Sequence, residues 1–248
     1  MTAAEPLIEV ELPAPVEEVW AHLRDPGFIR RWFGWEYEGL EGEIEFIFLG
    51  PPPEALAGMP EGAGFDVDDG AHTITWAYGG VDRDRFELSA EGDACVLRVT
   101  RTISPDSWDG VHDDVGEGWI SFVQQLRFAL SRHRGEERRT VSTSSAVTTT
   151  DDVLAVLGVD RVDGPWAGML GPEPGRSGDL WFRSDHQLAV TVDQWNDGLL
   201  LVTWPRDSAS VTLSVFGLDG AAVVDLGERW NAWWVDHVGT PDPDSPYT

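Results

Sequence analysis

Aromatic side chains are the first place in this sequence where chemistry could reside. Trp32, Phe46, Phe48, Trp76, Tyr78, Phe86, Trp119 and Phe122 recur through the first half, alternating with polar residues or following a helical period. Small apolar molecules bind in concavities lined by such rings, with one or two polar groups to orient them. The same rings can equally fill a core, and their types do not separate the two readings. Tyr78, Arg101 and His72 are the polar side chains placed to serve as handles. No nucleophile and base are spaced for catalysis: there is no Gly-x-Ser-x-Gly elbow, and no Gly-x-Gly-x-x-Gly follows a strand. The six His residues show no metal-ligand spacing. A single buried carboxylate or His would nevertheless suffice for acid–base work, and 44 acidic residues leave room for one.

Three clusters have simpler readings. Of His112, Asp113, Asp114 and Glu117, at most His112 and one acid could converge on a metal, because adjacent residues on a helix point apart; acids in a first helical turn complement the helix dipole. Asp66, Asp68, Asp69 and Gly70 lack the alternating ligands and terminal Glu of a calcium loop, and predict a turn. Cys95, flanked by Ala94 and Val96 on a strand, is expected to be an inert buried thiol. No catalytic residue, metal or cofactor is therefore expected.

The elements that must position the rings follow from periodicity. Residues 7–12 alternate apolar and acidic, predicting a half-buried strand. Pro15 suits the first position of a helix, and Val16, Val19, Trp20 and Leu23 give that helix one apolar face. Asp25-Pro26 caps a second short helix carrying Phe28, Ile29, Trp32 and Phe33. Strands are predicted where Ile44, Phe46 and Phe48 alternate with acids, from His72 to Tyr78, around Phe86 and Leu88, and from Cys95 to Val99. Residues 50–64 are expected to be a Pro/Gly-rich loop. A long helix with the stripe Trp119, Phe122, Val123, Leu126, Phe128, Ala129 and Leu130 closes the half at Gly135. A sheet with one long helix buries that stripe only by wrapping around it.

The run from Ile8 to Phe33 resembles the opening of SRPBCC proteins of the group related to the activator of heat-shock protein 90 ATPase. Ala14-Pro15, Val19-Trp20, Asp25-Pro26 and Arg31-Trp32 carry the resemblance, with Gly118-Trp119 and Leu126 further on; it covers roughly residues 7–134. It implies the helix-grip fold of START domains and the birch-pollen allergen, in which an antiparallel sheet wraps a long C-terminal helix. It also implies the roles such folds serve: binding hydrophobic molecules, contact with a chaperone, or the chemistry of a cyclase or hydrolase.

The second half repeats the order less sharply. A short helix carries Val153, Leu154 and Leu157, a Gly/Pro-rich loop is expected over 158–179, and strands near 180–184, 187–193, 198–204 and 209–216 include an Asn196-Asp197-Gly198 hairpin turn. Val223, Leu226, Trp230, Trp233, Trp234 and His237 mark a final helix. The expected organisation is an α+β, tandem helix-grip protein: a first domain over 1–137, a linker over 138–150, a shortened second copy over 151–239 and a disordered tail over 240–248.

Composition narrows function further. The formal charge is −27, spread over both halves, and all 17 basic residues are Arg. Such acidity disfavours nucleic acid, and the absence of Lys removes Schiff-base, pyridoxal-phosphate and P-loop chemistry. A lone Cys forms no internal disulfide. No stretch reaches membrane-spanning length, and the opening residues lack a signal-peptide pattern, so a cytoplasmic location is expected. The sequence thus predicts binding or sensing of a small hydrophobic or aromatic ligand. A chaperone partner or an unrecognised acid–base enzyme are the alternatives.

Overall fold

Strand β1 (Ile8–Leu12) turns Val10 and Leu12 inward and Glu9 and Glu11 outward, as its alternation demands. The computed structural model describes residues 6–80, 82–103, 111–147, 150–204 and 208–240, without the side chains of 82, 111–114 and 150–152. Two compact units form, one from the described residues of 1–34 and 39–135, the other from those of 35–38 and 136–248.

In the first unit, α1 (Val16–Arg24) buries Val19, Trp20 and Leu23. The Asp25 carboxylate caps α2 (Pro26–Ile29) by accepting from the Gly27 and Phe28 amides. Residues 40–49 depart from expectation. Ile44, Phe46 and Phe48, predicted on a strand, lie on α3 (Leu40–Ile44) and a π-helical turn over Glu45–Leu49. Two periods compete in this segment. The i, i+4, i+8 set Leu40, Ile44 and Phe48 is buried, whereas Phe46 is 40% exposed, so the helical period prevails. The Arg24 guanidinium donates to the Phe48 carbonyl and ties this segment to α1.

The expected loop over 50–64 contains α4 (Pro53–Ala57) and runs into a strand that the sequence reading lacked, β2 (Ala63–Asp68). Asp66 and Asp68 hid it, yet Phe65 and Val67 supply its inward face. The Asp68 carboxylate accepts from the Gly70 and Ala71 amides, making the predicted turn. The strands β3 (Thr73–Gly79), β4 (Asp82–Glu91) and β5 (Ala94–Thr102) complete an antiparallel sheet ordered β1-β5-β4-β3-β2. The long helix α5 (Val111–Arg132) buries Trp119, Val123, Leu126, Phe128, Ala129 and Leu130. Trp119 packs edge-on against Phe86 of β4, with ring centroids 4.7 Å apart. The predicted sheet–helix grip is present. Cys95 is fully buried on β5, and burial pushes its thiol up to about 11.

The second unit corrects the domain boundary. Residues 138–146, expected as a linker running into a possible strand, form β6 (Arg138–Ala146), paired along its length with β11 (Ser208–Phe216). Its Ser/Thr-rich sequence reads as a connector because its strand identity comes from a partner distant in the chain. The short helix α6 (Thr150–Leu157) buries Val153, Leu154 and Leu157 as expected. The supposed loop over 158–179 folds as β7 (Pro165–Leu170) and the start of β8 (Glu173–Arg183). Gly178 permits this: a Cβ there would lie 1.9 Å from the Thr191 carbonyl oxygen of the neighbouring strand. The strands β9 (Gln187–Val192) and β10 (Gly198–Thr203) flank a 3₁₀ turn, Asp193–Trp195. Asn196 and Asp197 both take φ +56°, the backbone a tight hairpin turn requires.

This sheet is ordered β6-β11-β10-β9-β8-β7. The final helix, α7 (Gly220–His237), buries Val223, Leu226, Trp230 and Trp234, and the Trp234 indole donates to Ser145 Oγ at 2.8 Å. Both units run strand, helix, antiparallel meander, C-terminal helix, and in both the first strand pairs with the last. The tandem helix-grip reading therefore holds, with the second copy beginning near residue 136. Residues 241–248, expected as a disordered tail, lie outside the described residues. No helix among the described residues is long and apolar enough to cross a membrane.

Leu126 is completely buried on α5. Leu126→Ala is expected to lower stability in urea unfolding by about 2–5 kcal/mol, and Asp25→Ala, which removes an exposed cap, by about 0.5–2 kcal/mol.

Candidate functional site

In an antiparallel sheet, residues directly opposite one another share a face. The inner face of the first sheet can therefore be read row by row. One row runs Val67, Ile74, Phe86, Val99 and Ile8, all apolar. The adjacent row runs Phe65, Trp76, Asp84 and Arg101. An acid and a base thus stand side by side on the face covered by α5. Asp84 is wholly inaccessible to solvent and the Arg101 side chain is 8% exposed, with Nη1 3.5 Å from Asp84 Oδ2.

Asp84 Oδ2 also accepts from the Tyr78 hydroxyl at 2.7 Å and from Trp119 Nε1 at 3.0 Å. Its other oxygen, Oδ1, is buried and has no hydrogen-bond partner among the described residues. An unmet buried polar group costs about 1–3 kcal/mol, which makes this oxygen a point of unspent bonding capacity. The Tyr78 phenol is held far above its ordinary titration range, first by burial, then by the Asp84 charge and the hydrogen bond to it, with Arg101 opposing. Tyr78 is accordingly a donor locked onto Asp84.

The predicted aromatic residues divide into two groups. Trp32, Phe48, Phe86, Trp119 and Phe122 come together inside the grip, joined by Phe33. Phe48 lies 5.5 Å from Trp32 and 5.0 Å from Phe33, and Phe33 lies 4.3 Å from Phe122. Phe46, Trp76 and Tyr78 instead form a stacked file, at 5.2 Å and 6.3 Å, leading from exposed Phe46 to Asp84. Phe46 is thus at the outer end of the site rather than in its lining. The Trp32 and Trp76 indoles donate to the His22 and Ile47 carbonyls.

Of the polar handles, Tyr78 and Arg101 meet at Asp84. His72 sits between β2 and β3 with φ +50°, where its contacts are Glu17 and Trp20. Asp84 itself was missed. Its signal was present, because the alternation that turns Phe86 and Leu88 inward continues back to Asp84. The structure describes no side chain for His112, Asp113 or Asp114, and no group of His, Cys, Asp and Glu suited to a metal occurs among the described residues.

The arrangement can orient a molecule bearing a hydrogen-bond donor, through Oδ1. It can also accept a proton at that oxygen, with Tyr78 and Trp119 holding the carboxylate in place.

No family model matches the chain, and no curated protein does. Among solved structures, it is similar to DynU16, a protein of the dynemicin biosynthetic locus, at 19% identity over 92% of this chain and 93% of that one, with a TM-score of 0.32. The di-domain ARO/CYC BexL from the BE-7585A biosynthetic pathway matches at 11% identity over 89% and 87%, with a TM-score of 0.36. The Aha1 dimer from Colwellia psychrerythraea matches at 16% identity over 52% and 96%, with a TM-score of 0.34. At such identities and TM-scores the likeness carries no argument; the fold rests on the strand orders and the helices seated on them.

A raised phenol value fixes the sign of one pH dependence. A group whose folded value exceeds its unfolded one stabilises fully below the unfolded value, and that contribution is lost as pH rises through the folded value. The chain is expected to lose stability above about pH 10, the ordinary tyrosine value, and Tyr78→Phe to lose less. Absorbance at 295 nm should show one tyrosine of the native chain resisting ionisation, and that resistance should vanish in Tyr78→Phe.

Proposed function

We propose that the first unit binds a small aromatic molecule carrying a hydroxyl, with the rings around Trp119 enclosing its body and Asp84 Oδ1 accepting from its hydroxyl. One observation supports this above the others: a fully buried carboxylate has three polar neighbours on one oxygen and, among the described residues, no hydrogen-bond partner on the other. A purely structural ion pair would spread its donors over both oxygens, because a buried charge is tolerated only when well satisfied. The interior rings touch one another, so a ligand takes the place of ring contacts. Phe46, on the π-helical turn and stacked on Trp76 of β3, is the natural part to move, since such turns concentrate at functional sites.

The same free oxygen favours a second reading, an enzyme in which Asp84 takes a proton from the substrate. Tyr78 stays protonated beside it, and a general base must stand within hydrogen-bond reach of the proton that it takes. A chaperone partner is implied by the resemblance alone. A cytoplasmic location is likewise the sequence's expectation, carried here as part of the proposal.

Calorimetric titration of the full chain with 1-naphthol tests the binding reading. Saturable binding is expected, weakened by about tenfold, or roughly 1.4 kcal/mol, in Asp84→Asn. 1-Methoxynaphthalene, which has no hydroxyl to donate, should bind correspondingly less well. Equal affinity for the two probes, unchanged in Asp84→Asn and in the milder Tyr78→Phe, would exclude it.

A further inference from the structure

The two units treat their tryptophans differently. In the first, the indoles of Trp20, Trp32, Trp76 and Trp119 all find an acceptor: Asp69, the His22 carbonyl, the Ile47 carbonyl and Asp84. In the second, the indole nitrogens of Trp166, Trp195 and Trp230 are buried with no acceptor among the described residues, and so is Arg176 Nε. Trp195 is 3% exposed and Trp230 is fully buried. Buried donors are almost always paired, because an unpaired one forfeits its bonds to water and gains nothing in return. Four in one small unit call for an explanation.

Trp195 and Trp230 belong to one buried cluster, and Trp166 packs against it. Gly168 stands opposite Arg176 and Trp166 opposite Gly178 on the β7–β8 hairpin, which puts Trp166 and Arg176 on one face of it. The Trp195 and Trp230 rings lie 5.9 Å apart at 71°. Glu173 links the groups, pairing with Arg176 and with Arg229, the residue preceding Trp230 on α7. The 3₁₀ turn bearing Trp195 is fastened to β8 by Ser177, whose hydroxyl donates to Asp193 at 2.7 Å and whose amide donates to Gln194 Oε1 at 3.1 Å. The one acid in this set, Glu173, is already held by two guanidiniums.

We propose that the inner face of the second unit is a separate binding site for a small aromatic carboxylate, its ring seated against Trp195 and Trp230 and its carboxylate accepting from the indole N–H groups and Arg176 Nε. A carboxylate is the acceptor that fits best, because charge-assisted bonds are shorter and about twice as strong as neutral ones. The chain's net charge of −27 opposes any anion at long range, but that repulsion is screened beyond about 8 Å in physiological salt, whereas the donors act at contact. Asp84 Oδ1 is an acceptor and selects a donor; here the indole nitrogens and Arg176 Nε are donors and select an acceptor.

The test is titration of the full chain with sodium 1-naphthoate, by calorimetry and by ¹H–¹⁵N spectra of the tryptophan indoles. Saturable binding is expected, with the Trp195 and Trp230 indole protons moving downfield as they gain an acceptor. Trp195→Phe and Arg176→Gln should each weaken binding by about tenfold or more, naphthalene should not shift the indoles downfield, and Asp84→Asn should leave the affinity unchanged. Absence of saturable binding at millimolar naphthoate would overturn the proposal. So would binding that survives both second-unit variants, or binding lost in Asp84→Asn alone, which would place the naphthoate in the first unit. Should Trp195→Phe not fold, nuclear Overhauser contacts between naphthoate protons and the Trp195 indole N–H in the unmodified chain decide the matter, their presence supporting the site and their absence refuting it.

Discussion

In each unit the earliest strand hydrogen-bonds to the last one, and the remaining architecture follows from that closure. β1 runs against β5 from Ile8 opposite Val99 to Leu12 opposite Cys95. β6 runs against β11 over nine residue pairs. With the sheet joined in this way, the helix after its last strand has one place to bury its apolar stripe, the sheet's inner face. Trp119, Leu126 and Leu130 do so in the first unit, and Leu226, Trp230 and Trp234 in the second. The hydrophobic gain of covering these stripes is large, and it stabilises strands whose own sequences are weak, β6 above all.

That closure also decides which polar groups are sealed inside. Asp84 and Arg101 belong to neighbouring strands, and pairing puts them in one row with Trp76. The row beside it is entirely apolar, and Asp84, shut off from solvent, accepts from Tyr78 and Trp119. A buried ion pair is poor evidence for stability, since desolvation offsets most of the attraction. Its lopsided bonding, with the Tyr78 and Trp119 donors on one oxygen, is the observation on which the proposed binding role rests.

The two grips share an order of elements and little else. The first carries its rings on α5, the π-helical turn, the residues after α2 and strands β3 and β4, and places an acid beside them. The second carries Trp166 and Trp195 on its hairpin and 3₁₀ turn, and sets Trp230 between Trp195 and Trp233. A copied fold thus presents two interiors of different chemistry, consistent with the slight literal identity between the halves. The high tryptophan content has no single cause: in the first unit the indoles anchor helices and loops through their N–H groups, and in the second three of them are left unmatched.

Much of this was legible in the sequence where burial is written as a local period. The stripes of α1, α5 and α7, the cap at Asp25, the turn at Asn196-Asp197 and the inward faces of β3, β4 and β5 all follow from spacing, because neighbours in the chain set which side is covered. Tertiary structure decided the cases in which a local pattern was ambiguous or silent. Leu40, Ile44 and Phe48 could serve a strand or a helix until burial chose the helix, and β6 and β7 became strands only by finding partners. The candidate site is of the same kind. Tyr78 and Arg101 were recognisable as polar side chains near rings, but Asp84 meets the Trp119 indole across 35 residues of sequence. Cross-strand register, which no single segment encodes, is what brings a carboxylate, a phenol, a guanidinium and an indole to one point.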